Sequence, residues 1–133
     1  PSMHAIVAVD IDEVEKGYEY FERSIRIDLG ENLKSSWDGL HAASLGGNWQ
    51  AVVNGFGGIR ITNDEKLRIN PHLPEKWKRL RFKIKWQNEE YCVDITRNTI
   101  TIKALSSMRQ PLSFEIFSKE YLLHPKQLLK VAY

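Results

Sequence analysis

Arg79-Leu80-Arg81-Phe82-Lys83-Ile84-Lys85-Trp86, followed after the polar segment Gln87–Glu90 by Tyr91-Cys92-Val93-Asp94-Ile95-Thr96, is the stretch that decides the fold. In the first run an apolar side chain stands at every second position and a cation between, the period of a strand with one buried face. The second run repeats the alternation, with Tyr91, Val93 and Ile95 on the apolar side. Folded as a hairpin around Asn88-Glu89, the runs set Trp86 opposite Tyr91, Ile84 opposite Val93 and Phe82 opposite Ile95. Lys83 then faces Asp94 as a cross-strand charge pair. Asn-Glu is not a favoured two-residue turn, so this register is open to slippage.

Working outward, Arg97-Asn98 turns the chain into a strand at Thr99–Ala104, and Leu112–Phe117 and Gln127–Val131 supply further strands. Upstream, a short strand at Lys66–Ile69 is separated from the hairpin by the rigid loop Asn70-Pro71-His72-Leu73-Pro74. Many short alternating strands between turn signals predict a β-sandwich from Ile59 onward.

The first 57 residues read as helical. Asp12 with Glu15 three residues later is a capping-box pattern. Val14, Gly17, Tyr18, Phe21, Ile25 and Leu29 then follow the rhythm of one helix face, predicting a helix over 13–28. Glu19–Arg23 and Glu22–Arg26 add i, i+4 pairs, and Leu29-Gly30 closes the segment. Residues 30–38 form a polar loop. A second helix is predicted from about Leu40 to Asn54, ended by Gly55, Gly57 and Gly58. Its Leu45, Trp49, Val52, Val53 and Phe56 make an apolar stripe, while Ala42, Ala43, Gly46, Gly47 and Ala51 make a side of small residues. Two consecutive glycines in a helix require a reason, such as a backbone or ligand pressed close. Burial on most sides is the expectation.

Composition bounds the function. With 19 basic and 17 acidic residues the net charge is +2, too balanced to call for nucleic acid or an anionic membrane. The single Cys92 can form no internal disulfide. No apolar run reaches the ~20 residues of a membrane span. The run His4–Val9 lacks a basic flank and a small-residue cleavage site, so it is no secretory signal. Pro1-Ser2 ahead of Met3 reads either as a tag remnant or as a start inside a larger protein.

Asp38-Gly39-Leu40-His41-Ala42-Ala43-Ser44, then Gly47-Asn48-Trp49-Gln50-Ala51-Val52-Val53 and Gly55-Phe56-Gly57-Gly58, resembles glycoside hydrolase family 65. Tyr20-Phe21-Glu22-Arg23-Ser24 and Arg26-Ile27-Asp28-Leu29 resemble the helix preceding that stretch. Asn70-Pro71-His72-Leu73-Pro74-Glu75-Lys76-Trp77 and the basic strand continue the likeness, which covers roughly residues 4–104. The resemblance implies an α+β chain: terminal helices of an (α/α)6 barrel at 1–58, then a small antiparallel C-terminal β-sandwich at 59–133. It also favours a start inside a larger protein.

The resemblance implies an inverting glycoside phosphorylase that cleaves an α-linked glucose disaccharide with inorganic phosphate. β-Glucose 1-phosphate and a sugar result, with phosphate as co-substrate and no cofactor. A glutamic acid protonates the glycosidic oxygen while phosphate attacks the anomeric carbon from the opposite face, as water does in inverting hydrolases. The family's glutamate has no counterpart here, so no catalytic residue is expected in this chain and the isolated chain is expected to be inactive. The His and Ser of the family motif are present as His41 and Ser44, the candidate phosphate contacts. Three residues apart, they share a helix face, and a helix start offers free amides and a favourable dipole to an anion. Asp38, as N-cap, would compete for those amides. Other implications are a cytoplasmic parent, a homodimer as in many family members, and neither nucleic-acid nor membrane partners.

The alternatives are a family 65 hydrolase using water, and a non-catalytic carbohydrate-binding or scaffolding sandwich. The last needs an exposed aromatic platform, which Trp77 or Trp86 would have to supply. His41 as a hydrogen-bonded core histidine and Ser44 as a packing serine is the structural reading of the same pair. The Arg79/Arg81/Lys83/Lys85 face reads as a solvated strand face. Asp10, Asp12, Glu13 and Glu15 read as capping and dipole compensation rather than paired catalytic carboxylates. His4, His72 and His124 are scattered and propose no metal site, and Cys92 has no nearby base to make it a nucleophile.

Overall fold

The computed structural model describes residues 1–29 and 39–133, in two units, Pro1–Phe56 and Gly57–Tyr133. Asp38 and the Gly30 helix stop lie outside the described residues.

The first unit holds helices α1 (Ser2–Asp10), α2 (Val14–Ile25) and α3 (Ala42–Gln50), with α3 running on as a wider π-helical segment, Ala51–Phe56. The predicted capping box does not form: Glu13, not Asp12, is the N-cap of α2, and it makes no side-chain cap bond. Asp12 instead terminates α1. It adopts a left-handed φ of 66°, its N–H donates to Val9 O at 3.0 Å, and the Glu13 N–H donates to Ala8 O at 2.8 Å. These are the two bonds of a Schellman stop, a role in which Asp tolerates left-handed backbone better than most residues. Glu22–Arg26 forms at 4.0 Å, whereas Glu19 pairs with Lys16 at 2.7 Å.

Small residues let these helices approach. Gly17 of α2 lies so near α1 that a Cβ there would sit 2.7 Å from Val9 Cγ2 and 3.0 Å from Ala5 O. Phe56 closes an aromatic cluster, with ring centroids 5.8 Å from Phe21 and 6.4 Å from Tyr18. The predicted second helix thus runs through Gly55, because Ala51, Val53, Gly55 and Phe56 are buried and hold the widened turn in place. Within this chain the helix is buried only in part. Leu45 and Trp49 are 54% and 55% exposed, since in this chain only the Val53 and Phe56 end of the stripe is covered.

The second unit is a two-sheet sandwich of eight strands: β1 (Ile59–Ile61), β2 (Leu67–Ile69), β3 (Arg79–Trp86), β4 (Glu89–Thr96), β5 (Thr99–Ala104), β6 (Leu112–Ile116), β7 (Lys119–Leu123) and β8 (Leu128–Ala132). One sheet runs β1-β2-β6-β7 and the other β3-β4-β5-β8. All neighbours are antiparallel except β2 and β6, which pair in parallel.

The hairpin register differs from the predicted one by two residues: Ile84 opposes Tyr91, Phe82 opposes Val93 and Leu80 opposes Ile95. Gln87 and Asn88 form the turn, with φ of 48° and 66°, the paired left-handed geometry that matches strand twist. A slip of two keeps every side chain on its predicted face, which a slip of one would not. Lys83 accordingly opposes Cys92 rather than Asp94. Strand β7 was not anticipated. Its turn, Phe117-Ser118, repeats the left-handed pair (φ 46° and 61°) with no glycine to advertise it. The core joins the two sheets: Tyr91 of β4 meets Phe114 of β6 edge to face, ring centroids 5.5 Å apart, among buried Ile69, Val93, Ile95, Ile100, Ile102 and Ile116.

Candidate functional site

The start of α3 carries both candidate residues. His41 is its N-cap and Ser44 lies in its first turn. Ser44 is half-buried, and its hydroxyl donates only a long 3.5 Å bond to the Ser24 carbonyl of α2. A bond at that length leaves the hydroxyl free to turn.

Asp28, in the turn after α2, meets His41 on two sides. Its Oδ1 lies 2.7 Å from His41 Nδ1, and its Oδ2 accepts the His41 backbone N–H at 3.2 Å. The carboxylate is deeply placed, 9% exposed, while the imidazole is 53% exposed. An ionised carboxylate has no proton to give, so Nδ1 must carry the ring proton of this bond and Nε2 is the remaining ring nitrogen. His41 is therefore neither a core histidine nor a loose surface one. Asp28 was visible in the sequence only as part of the Arg26–Leu29 stretch. It is thirteen residues from His41, and no helical spacing joins them.

The backbone donors at this helix start are mostly engaged. The His41 N–H goes to Asp28, the Ala42 N–H to Leu40 O at 3.1 Å, and the Ser44 N–H to His41 O at 2.8 Å. The expected row of free amides is thus reduced. The glycine pair divides its roles. Gly47 packs against the Ser2 side chain, whereas a Cβ on Gly46 would meet nothing within 4 Å.

Elsewhere in this unit a mostly apolar groove of about 370 Å³ runs along α1, lined by Met3, Val7, Ile11 and Tyr20 among others. His4 also lines it, its ring tilted against that of Tyr20 with centroids 5.6 Å apart. In the sandwich, Trp77 and Trp86 are half-buried and form no open aromatic platform. Arg79 is committed to Asp94, and Arg81 donates to Cys92 Sγ at 3.2 Å. Among the described residues, no helix is long and apolar enough to cross a membrane.

Residues 1–50 match the glycosyl hydrolase family 65 central catalytic domain, and residues 59–123 match the family 65 C-terminal domain. A kojibiose phosphorylase of Halothermothrix orenii is 48% identical over 106 residues, 80% of this chain and 14% of the relative. A 1,2-alpha-glucosylglycerol phosphorylase of Bacillus selenitireducens is 38% identical over 135 residues, 98% of this chain and 18% of the relative. An alpha,alpha-trehalose phosphorylase of Thermoanaerobacter brockii is 34% identical across 96% of this chain and 16% of the relative. A solved structure, named as a candidate kojibiose phosphorylase from the human microbiome, superposes with a TM-score of 0.88 at 27% identity, covering 100% of this chain and 17% of its own. The chain thus spans less than a fifth of the length of each of these proteins. On the matches of both its segments, the chain belongs to glycosyl hydrolase family 65, carrying central-domain sequence followed by the C-terminal domain.

Proposed function

We propose that this chain is part of an inverting glycoside phosphorylase that cleaves an α-linked glucose disaccharide with inorganic phosphate, giving β-glucose 1-phosphate and a sugar. The observation that carries the reading is that relatives named as phosphorylases of three different glucosides align along 80–98% of this chain. His41 and Ser44 contact the phosphate on this reading. His41 Nε2 is the ring nitrogen left by Asp28, and the weakly held Ser44 hydroxyl lies one helical turn away. Hydrogen phosphate offers both P–OH and P–O⁻, so it can engage Nε2 in either protonation state and accept from the serine.

In the reaction a phosphate oxygen forms a bond to the anomeric carbon as the glycosidic C–O bond breaks on the opposite face. A carboxylic acid outside this chain gives its proton to the departing oxygen. With that acid supplied from outside this chain, the isolated 133-residue chain is expected to turn over no substrate. Phosphate is a co-substrate, no cofactor is called for, and a cytoplasmic parent fits the use of cellular phosphate; a homodimeric parent is implied by the family alone.

The test is an assay of the enzyme containing this chain on α-linked glucose disaccharides, with and without phosphate. Glucose 1-phosphate formed only with phosphate supports the reading, and His41→Ala and Ser44→Ala should then each raise the KM for phosphate about tenfold. Free glucose released at equal rates in both conditions would make the parent a hydrolase and return both residues to structural roles.

A further inference from the structure

We infer that Asp28 is a positioning residue for phosphate recognition, acting through His41. The inference rests on the phosphate role of His41 proposed above and deepens it.

Three observations converge on the pair. Asp28 is nine-tenths buried, yet its carboxylate is spent on His41, with one oxygen on the ring Nδ1 and the other on the backbone N–H. Binding ring and backbone together fixes both the side-chain direction and the start of α3. The His41 side chain is 53% exposed. A helix-capping role alone would need only the backbone bond; the 2.7 Å bond to Nδ1 has its consequence at Nε2. A histidine whose second nitrogen is held by a carboxylate is aimed at its ligand in advance, and such supporting groups typically matter 10–100-fold in metal sites that use the same arrangement.

The carboxylate also excludes a competing arrangement. With Asp28 on the His41 amide, an anion cannot seat itself on that backbone donor and is left the ring Nε2 and the Ser44 hydroxyl.

The experiment is steady-state kinetics of the full-length enzyme, varying inorganic phosphate and disaccharide separately, for Asp28→Ala, Asp28→Asn, His41→Ala and the Asp28→Ala/His41→Ala pair. Asp28→Ala should raise the phosphate KM about tenfold and leave the disaccharide KM within about twofold. Asn, whose amide oxygen can still accept from Nδ1, should recover most of the loss. In the His41→Ala background Asp28→Ala should add nothing, as expected when one residue acts only through another. Additive losses, or equal losses in both KM values together with a lower melting temperature, would overturn the inference and leave Asp28 a structural cap. If Asp28→Ala does not fold, Asp28→Ser, too short to reach the ring, carries the same test. An unchanged phosphate KM in His41→Ala sinks the phosphate reading itself. A raised one with wild-type behaviour in the Asp28 variants sinks only this inference.

Discussion

Arg79 on β3 reaches diagonally to Asp94 on β4, although the ladder sets Arg79 opposite Thr96 and Arg81 opposite Asp94. Arg79 Nε donates to Asp94 Oδ1 at 2.7 Å, and its Nη2 donates to Oδ2, a two-pronged pairing. Arg81 takes the same diagonal to Cys92. The right-handed twist of the hairpin brings these diagonal neighbours together. The guanidinium bond holds the Asp94 carboxyl below its usual range. Because the folded value lies below the unfolded one, the pair stabilises the fold above the ordinary carboxylate pKa of about 3.9 and loses that effect as pH falls through the folded value. Asp94→Asn should therefore melt lower than wild type at pH 7, with the gap closing towards pH 2. A gap that persists undiminished in acid would contradict the account.

Gly58 stands at φ 64°, directly against the backbone of Asn70, whose N–H donates to the Gly58 carbonyl at 3.1 Å. A Cβ there would overlap main-chain atoms that cannot rotate away. Gly58→Ala should cost about 2 kcal/mol or more in urea unfolding, combining the left-handed penalty with the clash. A loss under about 0.5 kcal/mol would show that the Gly58–Asn70 approach is looser than described.

The adjacent glycines of α3 predict opposite outcomes. Gly46→Ala gains helix propensity at a position with open space, up to about 1 kcal/mol. Gly47→Ala meets the Ser2 side chain and should be the less stable of the two variants by about 1 kcal/mol. Equal melting temperatures would remove the α1–α3 contact at Gly47 as the explanation of the pair.

Two hairpins turn on left-handed residues without glycine, Gln87-Asn88 and Phe117-Ser118. Replacing Gln87-Asn88 by Asn-Gly should raise stability by about 1 kcal/mol. The same replacement at 117–118 should gain less, because Phe117 packs against Tyr133 with ring centroids 4.8 Å apart. Such a ring pair contributes about 0.5–1.5 kcal/mol. Chemical denaturation of both variants makes the comparison; a larger gain at 117–118 would show that the ring pair adds nothing.

Binary pattern carried the reading furthest where one face of an element is buried. The alternation at Leu80–Trp86 and Tyr91–Ile95 assigned every side chain to its correct face, even with the register off by two, because faces repeat with that period. Turn chemistry was the weak link. Left-handed Gln, Asn, Phe and Ser are uncommon enough that neither the true hairpin turn nor β7 announced itself. Asp12 misled for a related reason: its residue type suits a helix start and a left-handed stop alike, and only the bonds to Val9 and Ala8 distinguish them.

From the sequence alone followed the helical first half, the sandwich after Ile59 and the family. Each of these is written in local period or in a contiguous motif. The tertiary structure alone decided the parallel pairing of β2 with β6, the meeting of Tyr91 with Phe114 across the sheets, and the carboxylate of Asp28 on His41. Those partners stand 13 to 47 residues apart in pairings between elements, where no periodicity links them. Their choice depends on how the elements pack, a long-range property to which a local pattern of apolar and polar residues is blind.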